Sequence, residues 1–182
     1  MEMLNLPQEM LICEVGPRDG LQSEQKFLTL EQKLELIQMS IDAGCKVIEV
    51  GSFVSPKAIP QMADTDDLCK LLPQVEGVEY RGLIFNLKGL KRAEAAGLKK
   101  CQLTVSASKG HCLANMNKTP EEAVASFAEC VEYANEHGIA LCAAMATSFG
   151  CPIDGHVPFE QVVSVAKCLS EMGVKEIPLA DP

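Results

Sequence analysis

The segment Thr29–Val50, TLEQKLELIQMSIDAGCKVIEV, contains a structural unit that recurs along the chain. Thr29 and Gln32 have the spacing of a capping box, and apolar residues follow at helical spacing up to Ile41. Gly44 then suits the left-handed position that ends a helix. The short apolar run that begins at Val47 is typical of a strand buried on both faces. The sequence therefore predicts a helix, a turn and a strand in close succession.

The same succession recurs along the chain. Glycines at 97, 138 and 173 each precede a short apolar run. These runs and two less regular ones predict six strands, near residues 11–15, 46–51, 80–85, 101–106, 139–145 and 175–180. Five helices are predicted, over 30–41, from Thr119 to Gly138, from Pro158 to Met172, and less strongly over 58–72 and 87–96. Strands that alternate with helices imply a parallel sheet with right-handed crossovers.

Two α/β architectures fit this alternation in a single domain that covers residues 1–182. A doubly wound sheet would be complete at this length. An eight-fold barrel needs about 250 residues, so this chain would end at the sixth strand of such a barrel. No GxGxxG or GxxxxGK[ST] motif is present to favour a nucleotide-binding sheet. The periodicity by itself leaves both architectures open.

Composition excludes several classes of function. The 182 residues carry a formal net charge of −9 with no Lys/Arg cluster, which disfavours binding to nucleic acid or to an anionic membrane surface. No apolar run approaches the roughly 18 residues that a membrane-spanning helix needs. The nine cysteines include no CxxC pair, which indicates buried, reduced thiols. Residues 1–5 lack the pattern of a signal peptide, so we expect a cytoplasmic protein.

Polar residues follow every predicted strand at the same end. They are Arg18 and Asp19 after the first strand, Glu49 and Ser52 at the second, Asn86 after the third, Ser106 and Ser108 at the fourth, Ser148 after the fifth and Asp181 after the sixth. In both architectures ligands bind at the carboxyl ends of the strands. The pattern therefore predicts a single binding mouth.

Glu49 is the most informative of these residues. It interrupts the apolar run Val47-Ile48-Glu49-Val50, where a carboxylate is costly to bury without a partner. Arg18 could be that partner through a bidentate pair. Asp19 could then face a divalent cation, because hard cations prefer carboxylate oxygen.

Several segments resemble the 3-hydroxy-3-methylglutaryl-CoA lyase family, whose members are metal-dependent barrel enzymes. The similar segments are Glu14–Gln22 (EVGPRDGLQ), Val47–Glu49, Ser52–Lys57 (SFVSPK), Pro60–Met62, Asn86–Gly89 and Phe149–Pro152 (FGCP). They occur in the family order along essentially the whole chain. The resemblance implies a (β/α)8 TIM barrel, here incomplete with about six strands and five helices.

The resemblance also implies a role for each matching residue. Arg18 would stabilise the developing enolate and Glu49 would hold that arginine, so both are predicted to be catalytic. Asp19 would be a metal ligand. Gln22 and Asn86 would lie near the substrate. Among the polar residues at the strand ends, Ser148 and Asp181 are also predicted to bind substrate.

The implied reaction is a retro-Claisen cleavage of an acyl-CoA partner. A base removes the proton of the tertiary hydroxyl, and a carbon–carbon bond breaks to give acetoacetate and the enolate of acetyl-CoA. The implied cofactor is a divalent metal, Mg²⁺ or Mn²⁺. The family's HxH metal ligands, its metal-binding Asn and its mobile Cys loop have no counterpart in these 182 residues, so Asp19 is the one ligand that can be assigned.

Two other functions remain open from the sequence. A related barrel could run the bond-forming direction, as the acyl-CoA condensing synthases do. A partial barrel could instead be non-catalytic and form a homo-oligomer through its exposed strand edges. Two further residues are predicted to have no catalytic role. Cys151 is predicted to have a structural role in a turn, and His111 to lie in a solvated loop.

Overall fold

The computed structural model describes residues 7–181. Five strands alternate with seven α-helices. The strands are β1 (Cys13–Glu14), β2 (Val47–Ser52), β3 (Glu79–Leu83), β4 (Lys100–Ser106) and β5 (Ala140–Ala146). The helices are α1 (Leu30–Asp42), α2 (Thr65–Lys70), α3 (Leu87–Ala95), α4 (Lys109–Met116), α5 (Pro120–Ala125), α6 (Ala128–His137) and α7 (Phe159–Glu171). A π-helical turn at Gly16–Gly20 and a 3₁₀ turn at Pro60–Met62 complete the described secondary structure.

The order of the strands resolves the choice between the two architectures. All four neighbouring pairs are parallel, and the spatial order β1-β2-β3-β4-β5 is the order along the chain. A doubly wound sheet reverses its strand order at a switch point. A sheet that adds each new strand on the same side is instead the arrangement of a barrel wall. The fold is thus the incomplete barrel that the sequence predicts.

The local signals explain why the helices begin and end where they do. Thr29 and Gln32 form the reciprocal capping box at the start of α1, and Thr119 forms another at α5. Gly138 adopts the left-handed conformation at the end of α6, with φ of 67°. The helices pack on the outer face of the sheet, where Ile37, Leu90, Phe127 and Leu169 have no solvent exposure.

Besides α2, which is much shorter than the helix predicted over 58–72, three elements differ from the prediction. Residues 175–180 do not form a continuous strand; they adjoin β5 through two isolated parallel bridges, Cys142 to Glu176 and Met145 to Leu179. The helix predicted from Thr119 to Gly138 is broken into α5 and α6. At the break, Ser126 Oγ donates to the carbonyl of Ala123 at 2.7 Å, a local hydrogen bond that competes with the helical ladder.

The third difference is α4, which the sequence analysis did not predict. Ser108 caps this helix, because its side chain accepts from the backbone N–H of His111 at 3.2 Å. His111 therefore lies on a helix, and its prediction as a loop residue is wrong. Residues 1–5, on which the absence of a signal peptide was predicted, lie outside the described residues. None of the helices described between residues 7 and 181 is long and apolar enough to cross a membrane.

Candidate active site

The π-helical turn at Gly16–Gly20 places Arg18 and Asp19 at the carboxyl end of β1. The carbonyl of Val15 accepts from the backbone N–H groups of both residues, at 3.0 and 2.7 Å. The N–H of Gly16 donates to Glu14 Oε1 at 2.6 Å, which connects the start of the turn to β1. The turn is therefore held by the backbone rather than by the side chains that it presents.

Glu49 lies in β2 and is 1% exposed. A register shift between Glu49 and Gly51 marks a bulge directly after it, a feature that often re-aims side chains beside active sites. One carboxylate oxygen accepts from Arg18 Nε, and the other accepts from Gln102 Nε2 at 2.9 Å. The predicted contact between Arg18 and Glu49 is thus present. It uses a single guanidinium nitrogen and is not bidentate: Arg18 Nη1 donates to Asp19 instead, and Gln102 contacts the second oxygen of Glu49.

The electrostatic balance at Glu49 follows from its position. Burial raises the pKa of Glu49 above its usual value, while the charge and hydrogen bond of Arg18 act to lower it. Arg18 itself is largely buried, with 13% of its side chain exposed. The pair fixes a guanidinium in one orientation at the inner face of the sheet, where charges are only weakly screened by solvent.

Asp19 is the exposed member of the cluster, with 55% of its side chain in contact with solvent. Its Oδ1 accepts from Arg18 Nη1 at 2.5 Å and from Gln22 Nε2 at 3.1 Å. Arg18 is therefore clamped between Glu49 and Asp19, and Gln22 supports the second carboxylate. These four predicted site residues form one hydrogen-bonded cluster.

The cluster fits a divalent metal only in part. Asp19 offers a hard carboxylate ligand at the open end of the strands, as Mg²⁺ or Mn²⁺ would require. Within residues 7–181, however, no group of three or more His, Cys, Asp or Glu side chains could hold a metal ion. The described residues thus supply one candidate ligand and do not complete a metal site.

The other three predicted substrate-binding residues lie outside this hydrogen-bonded cluster. Asn86 caps α3, because its Oδ1 accepts from the N–H of Gly89 at 3.0 Å. Ser148 is 8% exposed and donates to the carbonyl of Met145 at 2.6 Å. Asp181 is exposed beside the bridge region that adjoins β5. Asn86 and Ser148 follow the carboxyl ends of β3 and β5, and Asp181 follows the segment that adjoins β5, so all three lie at the same end of the sheet as Arg18 without contacting it.

Gln102 is a site residue that the sequence analysis missed. In β4 the polar side chains of Lys100, Gln102, Thr104 and Ser106 alternate with buried apolar ones. This period of two places the four polar residues on one face of the strand. The alternation was visible in the sequence and identifies the inner face of the barrel.

Cys151 has the turn role that was predicted. Its Sγ accepts from the N–H groups of Ile153 and Asp154 at 3.3 and 3.2 Å, and Ser108 Oγ donates to it at 2.9 Å. Although burial acts to raise the pKa of the Cys151 thiol, the hydrogen bonds from Asp154 and Ser108 lower it. The sulfur thus organises the loop after β5 and connects it to the start of α4.

The fold and the cluster together define a class of protein. It is a parallel (β/α) barrel that carries Arg, Asp and Glu at the carboxyl ends of its strands, where barrel enzymes bind their substrates. A family model described as HMGL-like matches residues 9–182. The chain belongs to the HMGL-like family.

Individual relatives agree with this assignment. A Pseudomonas aeruginosa protein named 3-hydroxy-3-isohexenylglutaryl-CoA/hydroxymethylglutaryl-CoA lyase is 38% identical over 178 residues, which are 98% of this chain and 59% of that protein. The crystal structure of hydroxymethylglutaryl-CoA lyase from the same species superposes with a TM-score of 0.93 at 37% identity, covering 97% of this chain and 59% of that one.

A third match is the structure of an HMG-CoA lyase from Acinetobacter baumannii in complex with coenzyme A and 3-methylmalate. It has a TM-score of 0.87 and 38% identity, and it covers 93% of this chain and 55% of that one. The chain thus spans a little over half the length of these relatives. The described strands and helices correspond to part of a TIM barrel.

Proposed function

We propose that the polypeptide carrying this chain is a carbon–carbon lyase that cleaves a 3-hydroxy-3-methylglutaryl-CoA-type thioester to acetyl-CoA and acetoacetate. The observation that carries the proposal is the position of Arg18. It is held by Glu49 and Asp19 at the mouth of a barrel whose matched relatives are named lyases of this substrate class. The acyl-CoA partner is part of the same proposal.

Arg18 is suited to stabilise charge that develops during cleavage. When the bond between C2 and C3 of the substrate breaks, its electron pair moves to the thioester, whose oxygen becomes an enolate oxygen. Arg18 Nε and Nη1 are engaged by Glu49 and Asp19, whereas Nη2 has no hydrogen-bond partner among residues 7–181. A donor that is already oriented stabilises such an oxygen without reorganisation, and losing one donor typically costs about 10²–10³ in kcat.

Asp19 would supply one carboxylate to a divalent cation. When bound, such a cation provides Lewis-acid polarisation of substrate oxygens. The remaining ligands would come from outside the described residues, and the choice between Mg²⁺ and Mn²⁺ stays a prediction. Glu49 acts through Arg18 as a positioning residue, and Gln102 fixes the orientation of Glu49.

The bond-forming synthase direction uses the same cluster in reverse, and no observation favours it over cleavage. The non-catalytic partial barrel, the homo-oligomer and the cytoplasmic location stay predictions. Among residues 7–181, the charged cluster at the mouth favours an enzyme over a non-catalytic barrel. Arg18 Nη2 has no hydrogen-bond partner among these residues, so it can donate to a ligand.

The experiment compares Arg18→Met with the wild type in the polypeptide as its gene encodes it. Cleavage of 3-hydroxy-3-methylglutaryl-CoA is followed by acetyl-CoA release in the presence of Mg²⁺ or Mn²⁺. We expect kcat to fall at least about 10²-fold while the thermal unfolding curve stays cooperative.

Lys70→Met is the matched control. Lys70 also pairs with a carboxylate, that of Asp67 at 3.0 Å, but its side chain is 57% exposed on α2. We expect this variant to keep the wild-type kcat. Full activity of Arg18→Met would contradict the role assigned to the guanidinium.

A further inference from the structure

A serine and a histidine contact each other at the end of β4, apart from the cluster that holds Arg18. Ser106 is the last residue of β4, and His111 lies in the first turn of α4. Ser106 Oγ and His111 Nδ1 are 2.6 Å apart. In the tautomer that carries its proton on Nε2, the ring accepts the hydroxyl proton of Ser106. Through this contact a histidine activates a serine as a nucleophile.

The imidazole ring of His111 is held by a third residue. Asn115 lies one turn further along α4, and its Nδ2 is 3.1 Å from both ring nitrogens. The backbone N–H of His111 donates to Ser108 Oγ at 3.2 Å, which fixes the start of the helix. A nucleophile that contacts a base, and a base that is oriented by a third group, are the parts of a nucleophilic enzyme site. His111, predicted from the sequence to have no catalytic role, therefore has the position of a general base.

The pair lines a cavity of about 240 Å³ at the carboxyl ends of β4 and β5. Ser106 is 4% exposed, so a ligand reaches its hydroxyl through this cavity. Phe85 and Met116 give the cavity an apolar wall. Thr104 also lines it, on the same face of β4 as Ser106 and about 7 Å away along the strand. The oxygen of a carbonyl group at Ser106 Oγ can therefore lie between the two hydroxyls and accept from Thr104.

We propose that Ser106 and His111 form a nucleophile and general-base pair that hydrolyses short-chain acyl thioesters and esters. This activity is additional to the proposed cleavage of a carbon–carbon bond and does not depend on it. Thioesters and esters are the class of substrate that such a pair attacks without a metal. An apolar cavity of about 150 Å³ holds benzene, so a cavity of about 240 Å³ has room for an acyl group of about four carbons.

The reaction balances without an oxidant, a reductant or a metal. Ser106 Oγ forms a bond to the carbonyl carbon, and its proton passes to His111 Nδ1. The bond from that carbon to sulfur or oxygen breaks, and the leaving thiol or alcohol takes the proton. Water then attacks the acyl-serine with His111 as the base, and release of the carboxylic acid restores the hydroxyl of Ser106.

The first test is covalent trapping with an alkyl fluorophosphonate, in the polypeptide as its gene encodes it. Ser106 Oγ displaces fluoride from phosphorus, and the hydroxyl proton passes to His111. We expect an adduct that mass spectrometry of the peptides locates at Ser106, and no adduct in Ser106→Ala. A protein that stays unlabelled, or a label that lies on another residue and persists in Ser106→Ala, would overturn the proposal.

The second test is hydrolysis of p-nitrophenyl butyrate, followed by release of p-nitrophenol. The assay contains EDTA, so that a metal-dependent reaction does not contribute. We expect the wild type to hydrolyse the ester faster than buffer does, and Ser106→Ala to lose this activity. His111→Phe keeps the shape of the side chain but removes the base, so its rate should fall at least about 10²-fold. A wild type no faster than buffer, or a Ser106→Ala variant as fast as the wild type, counts against the pair.

Ser170→Ala and His137→Phe are the matched controls. Ser170 is exposed on α7, and His137 Nδ1 contacts a carboxylate oxygen of Glu94 at 2.7 Å instead of a hydroxyl. Both variants should keep the wild-type rate, and circular dichroism checks that every variant folds. Should His111→Phe not fold, His111→Gln takes its place with the same expected loss. An equal loss of rate in His137→Phe would refute the role of His111 as the base.

The hydrolytic pair and the proposed lyase function fail in different ways. If 3-hydroxy-3-methylglutaryl-CoA is cleaved to acetyl-CoA and acetoacetate but Ser106 is neither labelled nor needed for ester hydrolysis, only the pair is wrong. If Ser106 is labelled and hydrolyses the ester in EDTA but no acetoacetate forms with Mg²⁺ or Mn²⁺, the pair is confirmed and the lyase function is wrong.

Discussion

The orientation of one guanidinium is the central feature at the scale of single residues. Arg18 is engaged by two carboxylates of different character, the buried Glu49 and the exposed Asp19. The buried partner is the stronger constraint, because a charge taken out of water has few alternative partners. The exposed partner remains accessible to a ligand. This division lets Glu49 hold the arginine while Asp19 stays exposed at the end of β1.

The pair between Arg18 and Glu49 could be predicted from sequence because a carboxylate in an apolar run requires a cation. Gln102 could not be assigned to Glu49 in the same way. An amide carries no charge, and its contact with Glu49 depends on the register between strands that are not adjacent in the sequence. The capping role of Asn86 was also missed, although its spacing to Gly89 is a typical N-cap signal.

Glu49→Gln tests the pair at the residue scale. The substitution keeps the shape of the side chain but removes the charge that Arg18 contacts. Burial already disfavours the ionised Glu49, so the neutral amide recovers that cost. We therefore expect the free energy of unfolding at pH 7 to change by less than a hydrogen bond to a charged group contributes, which is about 1.5–3 kcal/mol. Urea denaturation measures it, and the ¹⁵Nε signal of Arg18 should move at the same time.

Gln102→Leu is the control for this variant, because it removes the second partner of Glu49 and leaves the contact with Arg18 in place. We expect the Arg18 signal to stay within the range of the wild type. An Arg18 ¹⁵Nε signal that does not move in Glu49→Gln would show that Glu49 does not hold the guanidinium.

At the scale of elements, the bulge in β2 connects the sheet to α2. Gly51 lies at the bulge, and Thr65 opens α2 directly against it. A Cβ at Gly51 would lie 2.7 Å from both Oγ1 and Cγ2 of Thr65. Thr65 is buried, and its Oγ1 donates to the carbonyl of Met62 at 2.8 Å, so the side chain has little freedom to move away. The close approach therefore requires glycine.

Gly51→Ala should consequently lower the free energy of unfolding by about 1–3 kcal/mol, the usual cost of overpacking. Chemical denaturation measures the loss. The double variant Gly51→Ala, Thr65→Ala removes both clashing atoms and should recover part of it. If the single variant is as stable as the wild type, β2 and α2 are not closely packed at this position.

Four charged side chains attach the segment after α7 to the sheet. Arg81 and Lys100 each contact Glu79 and Glu176, so the segment that carries Glu176 is linked to both β3 and β4. Burial acts to raise the pKa of Glu176, but the hydrogen bonds from Lys100 and Arg81 outweigh it, and the pKa is lowered from its usual 4.5. The ionised carboxylate is thus favoured by the folded state.

The pH dependence follows from that direction. Because the folded pKa of Glu176 is below the unfolded one, its contribution to stability is complete above about pH 4.5 and is lost as the pH falls through the folded pKa. Glu176→Gln should therefore be less stable than the wild type at pH 7, with a difference that shrinks below about pH 4.5. Thermal unfolding across this range measures it. Glu160→Gln, at an exposed position of α7, should show no such convergence.

The elements themselves were predictable to different degrees. Capping signals and glycine stops located α1 and α7 closely, since these signals are local. The break between α5 and α6 escaped prediction, because the apolar spacing continues through Phe127 while Ser126 bonds to the preceding turn. The sixth strand, predicted over residues 175–180, does not form as a continuous strand. Its apolar residues match a strand, but only two bridges to β5 form.

At the scale of the whole molecule, the sequential strand order decides the architecture. Periodicity predicted parallel strands but could not distinguish a barrel from a doubly wound sheet, because the two differ only in which strands become neighbours. The family resemblance supplied that information, and the order β1 to β5 confirms it. The position of the candidate site follows from the same order, since it gathers the carboxyl ends of all five strands at one rim.

The most direct test of the account is the product analysis of the polypeptide as its gene encodes it, incubated with 3-hydroxy-3-methylglutaryl-CoA and Mg²⁺ or Mn²⁺. We predict acetyl-CoA and acetoacetate in equal amounts, and no products once EDTA has removed the metal. A folded protein that leaves the thioester intact under these conditions, or that only consumes acetyl-CoA in the condensing direction, would contradict it.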